Sequence, residues 1–217
     1  MSRLLLHVCC GPCSIATVRM LRDEGYEVTG LFVNPNIHPL QEYLKRREAM
    51  QETAARLDLP MIWRDDVYDV PAWLRGMAWR EAPETRCRIC YATRIETTLA
   101  VARHGGFDAF STTLLYSRHQ RHETIREVCE GAAADGPVSF VYRDFRTGWQ
   151  EGIDTSRGWG IYRQQWCGCI YSENERHAAD FSKATGRRPD SRRRAEGPVS
   201  SPSSGGGRTG QSPAQRG

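Results

Sequence analysis

The sequence predicts an α/β fold, a three-layer arrangement with a mostly parallel sheet between helices. Three observations carry this. Short apolar runs alternate with longer segments of helical spacing. The connections between them are short, which favours right-handed crossovers and parallel strand pairing. The composition, 39% hydrophobic and 26% charged over 217 residues, suits one domain with a core of ordinary size.

Arg3–Val8 (RLLLHV) reads as the first strand, followed by a cysteine turn and an amphipathic stretch over Ser14–Glu24. Tyr26–Val33 reads as the second strand, broken by the turn residues Asn34-Pro35-Asn36. Leu40–Leu57 is helical, with Leu44, Arg47, Ala54 and Leu57 at helical spacings. Pro60–Trp63 is a third strand and Ile89–Arg103 another long helix. Asp108–Thr112 and Val138–Tyr142 complete the strands, with helical Glu123–Cys129 between them. The whole is Rossmann-like, of nucleotide-hydrolase-like type, and its strand order is not legible. No internal repeat is visible.

Charge divides the chain at about residue 186. Residues 187–217 hold seven Arg against two acids, a net of +5, so residues 1–186 carry −1 of the total of +4. This last segment is Ser, Gly, Pro and Arg with almost nothing apolar, and it reads as a disordered tail behind a catalytic domain over 1–186. The start, MSRLLLHVCC, has an apolar run too short for a signal peptide or a membrane span. A cytoplasmic protein with no membrane attachment is expected.

Seven of the eight cysteines fall in three tight groups: Cys9-Cys10-x-x-Cys13, Cys87-x-x-Cys90 and Cys167-x-Cys169. Such grouping suits a metal or redox centre in a reducing compartment better than structural disulfides. The first group joins a strand to a helix, where ligand sites of parallel sheets lie and where a helix N-terminus stabilises negative charge. A phosphate cradle there would be glycine-rich; here one glycine and no lysine remain, and sulfur takes its place. Cys10-Gly11-Pro12-Cys13 also spells a thioredoxin-like dithiol, but that leaves Cys9 and four other clustered cysteines unused. Cys9 and Cys10 with Cys87 and Cys90 supply four thiolates, enough for zinc or a [4Fe–4S] cluster, and spacing alone does not separate the two. Cys167-Gly168-Cys169 reads as a redox-active dithiol, with further metal ligation as the alternative. Trp166 and Tyr171 beside it suggest a recognition surface. Cys129 reads as a buried helix residue.

Other polar features have plain readings beside functional ones. His38 either touches substrate or merely belongs to a turn. Asp65, Asp66 and Asp69 hold a metal or proton, or form a solvated loop. Arg118-His119-Gln120-Arg121-His122 binds phosphates or opens a helix.

Seven blocks recur in the order of a known family. They are His7-x-Cys9-Cys10-x-Pro12-Cys13; Asn34-Pro35-Asn36-Ile37-x-Pro39; Glu42-Tyr43-x-x-Arg46; Arg86-Cys87-x-x-Cys90-Tyr91; Thr112-Thr113-Leu114-Leu115-x-Ser117; Asp144-Phe145-Arg146-x-Gly148; and Tyr162-x-Gln164-x-x-Cys167-Gly168-Cys169. Over roughly residues 3–175 the chain resembles the epoxyqueuosine reductases of the QueH type. The resemblance implies a cobalamin-independent enzyme that reduces the epoxide of epoxyqueuosine, at the wobble position of tRNA, to the alkene of queuosine. It implies a [4Fe–4S] cluster on Cys9, Cys10, Cys87 and Cys90, a redox-active pair at Cys167 and Cys169 that cycles through a disulfide, and an electron donor that it does not identify. Cys13 stands where many members have Asp, and is the candidate ligand of a second, mononuclear iron. The rival classes are an iron–sulfur tRNA sulfur transferase, which needs an ATP-binding glycine loop that is missing here, a thioredoxin-like thiol oxidoreductase, and a zinc-bound nucleic-acid adaptor.

The charge division generates a test. Truncation after Gly186 is expected to weaken tRNA binding mainly at low salt and to flatten its salt dependence, because Arg–phosphate contacts release counterions. Lost turnover at saturating tRNA would contradict a purely electrostatic tail.

Overall fold

A computed structural model describes residues 1–187. Five strands form one sheet: β1 (Ser2–His7), β2 (Tyr26–Phe32), β3 (Met61–Trp63), β4 (Ala109–Thr112) and β5 (Ser139–Phe140). Their order is β3-β2-β1-β4-β5, and every pairing is parallel. Leu4, Leu5 and Leu6 of the central strand are all fully buried. Both faces of β1 are therefore covered, which explains an unbroken apolar run in place of alternation.

Seven helices flank the sheet: α1 (Gly11–Asp23), α2 (Leu40–Arg56), α3 (Val70–Met77), α4 (Pro83–His104), α5 (His122–Ala133), α6 (Trp149–Gly158) and α7 (Ile170–Thr185). α1 packs against α2 and α6, while α4 packs against α5 and contacts β1 and β4. Chain order reverses beside β1, whose two neighbours are β2 and β4. The switch point thus lies beyond the carboxyl ends of β1 and β4, where parallel sheets open a crevice.

The predicted strands and helices are present, with shifted bounds. α1 begins at Gly11, inside the cysteine turn. α4 begins at Pro83, six residues before Ile89, so Cys87 and Cys90 lie within this helix and not ahead of it. Pro83 suits a first helical turn and Glu84 favours the positive helix end there. β5 keeps only Ser139 and Phe140 of the expected Val138–Tyr142. The sequence reading did not include α3, α6 or α7. α6 buries only Gly152 and Ser156, and α7 buries nothing, so neither adds an apolar face to the core. The expected tail over 187–217 lies, from residue 188 onward, outside the described residues. Among the described residues no helix is long and apolar enough to cross a membrane.

Gly11 shows what its position requires. A Cβ there would meet the Thr53 hydroxyl and come within 2.8 Å of the Ala49 carbonyl oxygen on α2. This glycine lets two helices approach, whatever binds at the turn. Gly11→Ala is expected to cost about 2 kcal/mol through overpacking, read as a lower urea midpoint with an unchanged slope.

Candidate metal and redox site

The site begins where β1 ends. The buried His7 ring lies 2.8 Å from Thr112 Oγ1 and 3.3 Å from the Val33 carbonyl, tying β1 to its neighbours on both sides. Burial, helped by the Arg94 charge, lowers its pKa to about 4, so the ring stays neutral at physiological pH. Cys9 follows, and Cys10 is the N-cap of α1 with no side chain capping the helix. The free N–H groups and positive end of α1 therefore face the sulfurs.

The sulfurs of Cys9, Cys10 and Cys13 all lie within 4.8 Å of one another, and this group can hold a metal ion. Thr113 Oγ1 donates to Cys9 Sγ at 3.3 Å. Gln164 Nε2 donates to Cys10 Sγ at 2.8 Å and to Cys13 Sγ at 3.5 Å. Hydrogen bonds from Cys10 and Cys13 pull the Cys9 thiol well below its ordinary pKa. Burial pushes Cys10 up, and its sulfur neighbours push Cys13 up. One of the three carries the negative charge most readily.

Cys87 and Cys90 project from the first turns of α4 into a small cavity that also receives Cys167 and Cys169. Trp73, Tyr91 and Tyr171 supply aromatic walls, and Arg86 and Arg94 supply cations. Burial raises the Cys87 thiol, and raises Cys90 to about 11. Arg94, one helical turn beyond Cys90, is 2% exposed. Its Nε donates to the Cys90 carbonyl at 3.0 Å and its Nη2 to Cys90 Sγ at 3.1 Å. Burial works against its charge, but attraction to the sulfurs of Cys90, Cys9 and Cys167 and to Tyr91 raises its pKa overall. No carboxylate pairs with Arg94 among the described residues. Its one polar side-chain partner among them is the Cys90 sulfur, and it lines the cavity with Cys87, Cys90, Cys167 and Cys169.

The Cys167–Cys169 loop is anchored on α2. Arg46 and Glu42 form a buried ion pair, Nε to Oε1 at 2.6 Å, with the side chains 2% and 4% exposed. The same guanidinium donates to the carbonyls of Trp166 (3.0 Å) and Cys167 (3.2 Å), and Tyr162 donates its hydroxyl to Glu42 at 2.5 Å. Gly168 has φ +119°, and a Cβ would come within 3.0–3.3 Å of Ile37, Arg46 and Asn36. Only glycine suits both that backbone and that space. The two sulfurs are 3.9 Å apart and both cysteines are free thiols. Hydrogen bonding with Cys169 above all, outweighing burial, lowers Cys167 to about 5, while the neighbouring Cys167 sulfur pushes Cys169 up. At neutral pH the pair is one thiolate and one thiol.

The remaining expectations divide. Asp65 accepts from Tyr43 and Arg47, Asp66 pairs with Arg64, and Asp69 caps α3, so the acidic loop serves structure. Arg121 pairs with Glu84 and His122 opens α5, whereas Gln120 lines the cavity and accepts from Tyr91 at 2.7 Å. His38 is buried, its backbone N–H bonded to the Gly168 carbonyl at 2.8 Å and its Nε2 without a partner. Trp166 and Tyr171 are half-buried, and Tyr171 lines the cavity. Cys129 is buried in α5, as expected, and burial raises its pKa. Arg94 was not singled out from the sequence. Its one signal was its place four residues after Cys90 on the same helix face.

A three-layer α/β domain that gathers thiols and buried guanidinium groups at the switch point of a parallel sheet belongs to the class of sulfur-dependent metal or redox enzymes. Comparison with known proteins narrows this. The family profile described as epoxyqueuosine reductase QueH matches residues 4–175. The chain is 34% identical over 182 residues to the epoxyqueuosine reductase QueH of Dehalococcoides mccartyi, covering 84% of this chain and 98% of that one. It is 34% identical to the same-named protein of Thermotoga maritima (86% and 99% covered) and 35% identical to that of Haemophilus influenzae (86% and 77% covered). The chain belongs to the epoxyqueuosine reductase QueH family and is an enzyme of that family.

The anchor of the cysteine loop generates a test. Arg46→Met leaves Glu42 buried without its cation and is expected to cost about 3–5 kcal/mol. Glu42→Gln together with Arg46→Met leaves no buried charge and should recover part of that stability. In both proteins the Cys167–Cys169 loop should gain hydrogen exchange, because its carbonyls lose their donor.

Proposed function

We propose that this chain reduces epoxyqueuosine in tRNA to queuosine, with a [4Fe–4S] cluster held by Cys9, Cys10, Cys87 and Cys90 and a redox-active dithiol formed by Cys167 and Cys169. Support for the reaction comes from the family. Support for the roles comes from one observation above all: the close Cys167–Cys169 thiols share a cavity with Cys87 and Cys90.

The residues fit the cluster. Cys9 and Cys10 come from the β1–α1 turn and Cys87 and Cys90 from α4, and Arg94, which donates to Cys90 Sγ, has no carboxylate partner among the described residues. A thiolate-bound group of net negative charge would compensate its charge. When bound, the cluster would supply single-electron transfer and an iron that polarises an epoxide oxygen. Cys13, in contact with Cys9 and Cys10, is the candidate ligand of a second iron.

The dithiol matches the reaction in atoms and electrons. Converting an epoxide to an alkene with loss of water consumes two electrons and two protons. Oxidation of the Cys167 thiolate and the Cys169 thiol to a disulfide supplies both electrons and one proton, and the second proton comes from solvent. Hydrogen bonding with the neighbouring Cys169 favours thiolate at Cys167, while Cys169 keeps its proton. Trp73, Tyr91 and Tyr171 give the cavity apolar walls. An external donor then returns the disulfide to the dithiol. A cytoplasmic location is part of this reading, because a reduced dithiol persists in a reducing compartment.

Anaerobically prepared protein is expected to carry about four iron and four sulfide per chain. Cys87→Ser should lose them and Cys129→Ser should keep them. Cys167→Ser and Cys169→Ser should each keep iron and tRNA binding while epoxide reduction falls to background. Mild oxidation of the wild type should give a 167–169 disulfide in alkylated peptides, reversed by added dithiol. Stoichiometric zinc without visible absorption would defeat the cluster. Iron lost in step with Cys167 or Cys169, with no disulfide ever detected, would make those residues ligands.

A further inference from the structure

The cavity at the thiols has room for about one water molecule. A nucleoside reaches the sulfurs only when the rim opens. At that rim stands Arg86, 8% exposed and walling the cavity next to Cys87. Its Nη1 donates to the Glu81 carbonyl at 2.7 Å, and Tyr171 lies with its ring centroid 5.3 Å from the guanidinium carbon. These contacts fix the plane of the group.

The opposite side of the guanidinium is half used. Nη2 donates to Glu175 Oε1 at 2.6 Å, while Nε, its partner in the side-on fork, is buried with nothing to bond. Elsewhere in the protein the same fork is filled by two oxygens, as when Arg19 Nε and Nη2 grip both oxygens of Glu151. Glu175 is 41% exposed and sits on α7, the helix that buries no residue. The carboxylate is therefore cheap to displace. A buried guanidinium with a free fork position is not.

We propose that Arg86 anchors a backbone phosphate of the RNA at the mouth of the thiol cavity, in the place that Glu175 holds in the free protein. A phosphodiester presents two anionic oxygens at the spacing of the Nε–Nη2 fork, and so satisfies the donor that Glu175 leaves empty. The exchange couples substrate arrival to release of α7 at the rim. This inference rests on RNA being the substrate and needs nothing from the redox chemistry.

Binding of a fluorescently labelled anticodon stem-loop RNA to the anaerobic, iron-loaded full-length protein, followed across a salt series, tests it. Glu175→Gln removes the competing charge on a half-exposed side chain and should tighten binding about three- to fivefold. Arg86→Lys keeps charge but loses the fork, and should weaken binding about tenfold. Arg86→Gln should lower the salt slope by about one. Inorganic phosphate added at matched ionic strength should compete only weakly, since it lacks the rest of the RNA. Unchanged affinity in Glu175→Gln overturns the proposal even if the Arg86 variants fail to fold. Strong competition by inorganic phosphate, with RNA affinity indifferent to Arg86, would make this a free-anion site and overturn it too. A wild type that fails to bind the stem-loop defeats the substrate reading and the anchor with it, whereas a wild type that binds beside indifferent variants defeats the anchor alone.

Discussion

The buried Glu42–Arg46 pair is the interaction on which the geometry of the site depends. Two charges removed from water cost several kcal/mol each unless every donor and acceptor finds a partner. Here they largely do, because Arg46 also takes the Trp166 and Cys167 carbonyls and Glu42 takes the Tyr162 hydroxyl. The pair therefore joins two segments 120 residues apart in sequence. Its consequence is local and chemical. The Cys167–Cys169 loop has little regular structure of its own, yet its carbonyls are held by α2 and its glycine is pressed against Asn36 and Ile37. A loop so anchored keeps two sulfurs at reaction distance without a covalent link.

Charge at the sulfur groups is balanced by a small number of fixed elements. Cys10 and Cys13 sit at the N-terminal end of α1, and Arg94 lines the cavity of the second and third cysteine groups. His7, the other basic side chain buried there, contributes no charge, since burial and Arg94 keep it neutral. One mobile-looking cation would be screened by water. A guanidinium 2% exposed is not, and its field falls on the thiols at close to full strength. Negative charge on sulfur and positive charge on Arg94 each make the other affordable in a dry interior.

The opposite condition holds at the rim. α7 contributes Tyr171 and Ser172 to the site in its first turn and then continues over the surface with nothing buried. A well-anchored dithiol loop followed by a weakly packed helix gives a site that is rigid where chemistry needs precision and loose where a macromolecule must enter.

By itself the sequence determined the sheet, its parallel character and the cysteine groups, because apolar periodicity and side-chain chemistry are local properties. The apolar run over Arg3–Val8 announced a strand, and the seven ordered motif blocks carried the resemblance to the family. Only the tertiary structure decided the rest. α6 and α7 bury almost nothing, and only the packed chain places them. The first turns of α4 are polar, with Glu84, Thr85 and Arg88 exposed to solvent, and this concealed a helix start at Pro83. Arg94 read as one more arginine until burial stripped it of water and left thiols as its partners. Arg46 and Glu42 were visible as a spaced pair, but what they hold lies more than a hundred residues away. Spacing along a chain records which groups a helix or strand presents together; which distant carbonyl, thiol or carboxylate they meet is set by how the layers pack.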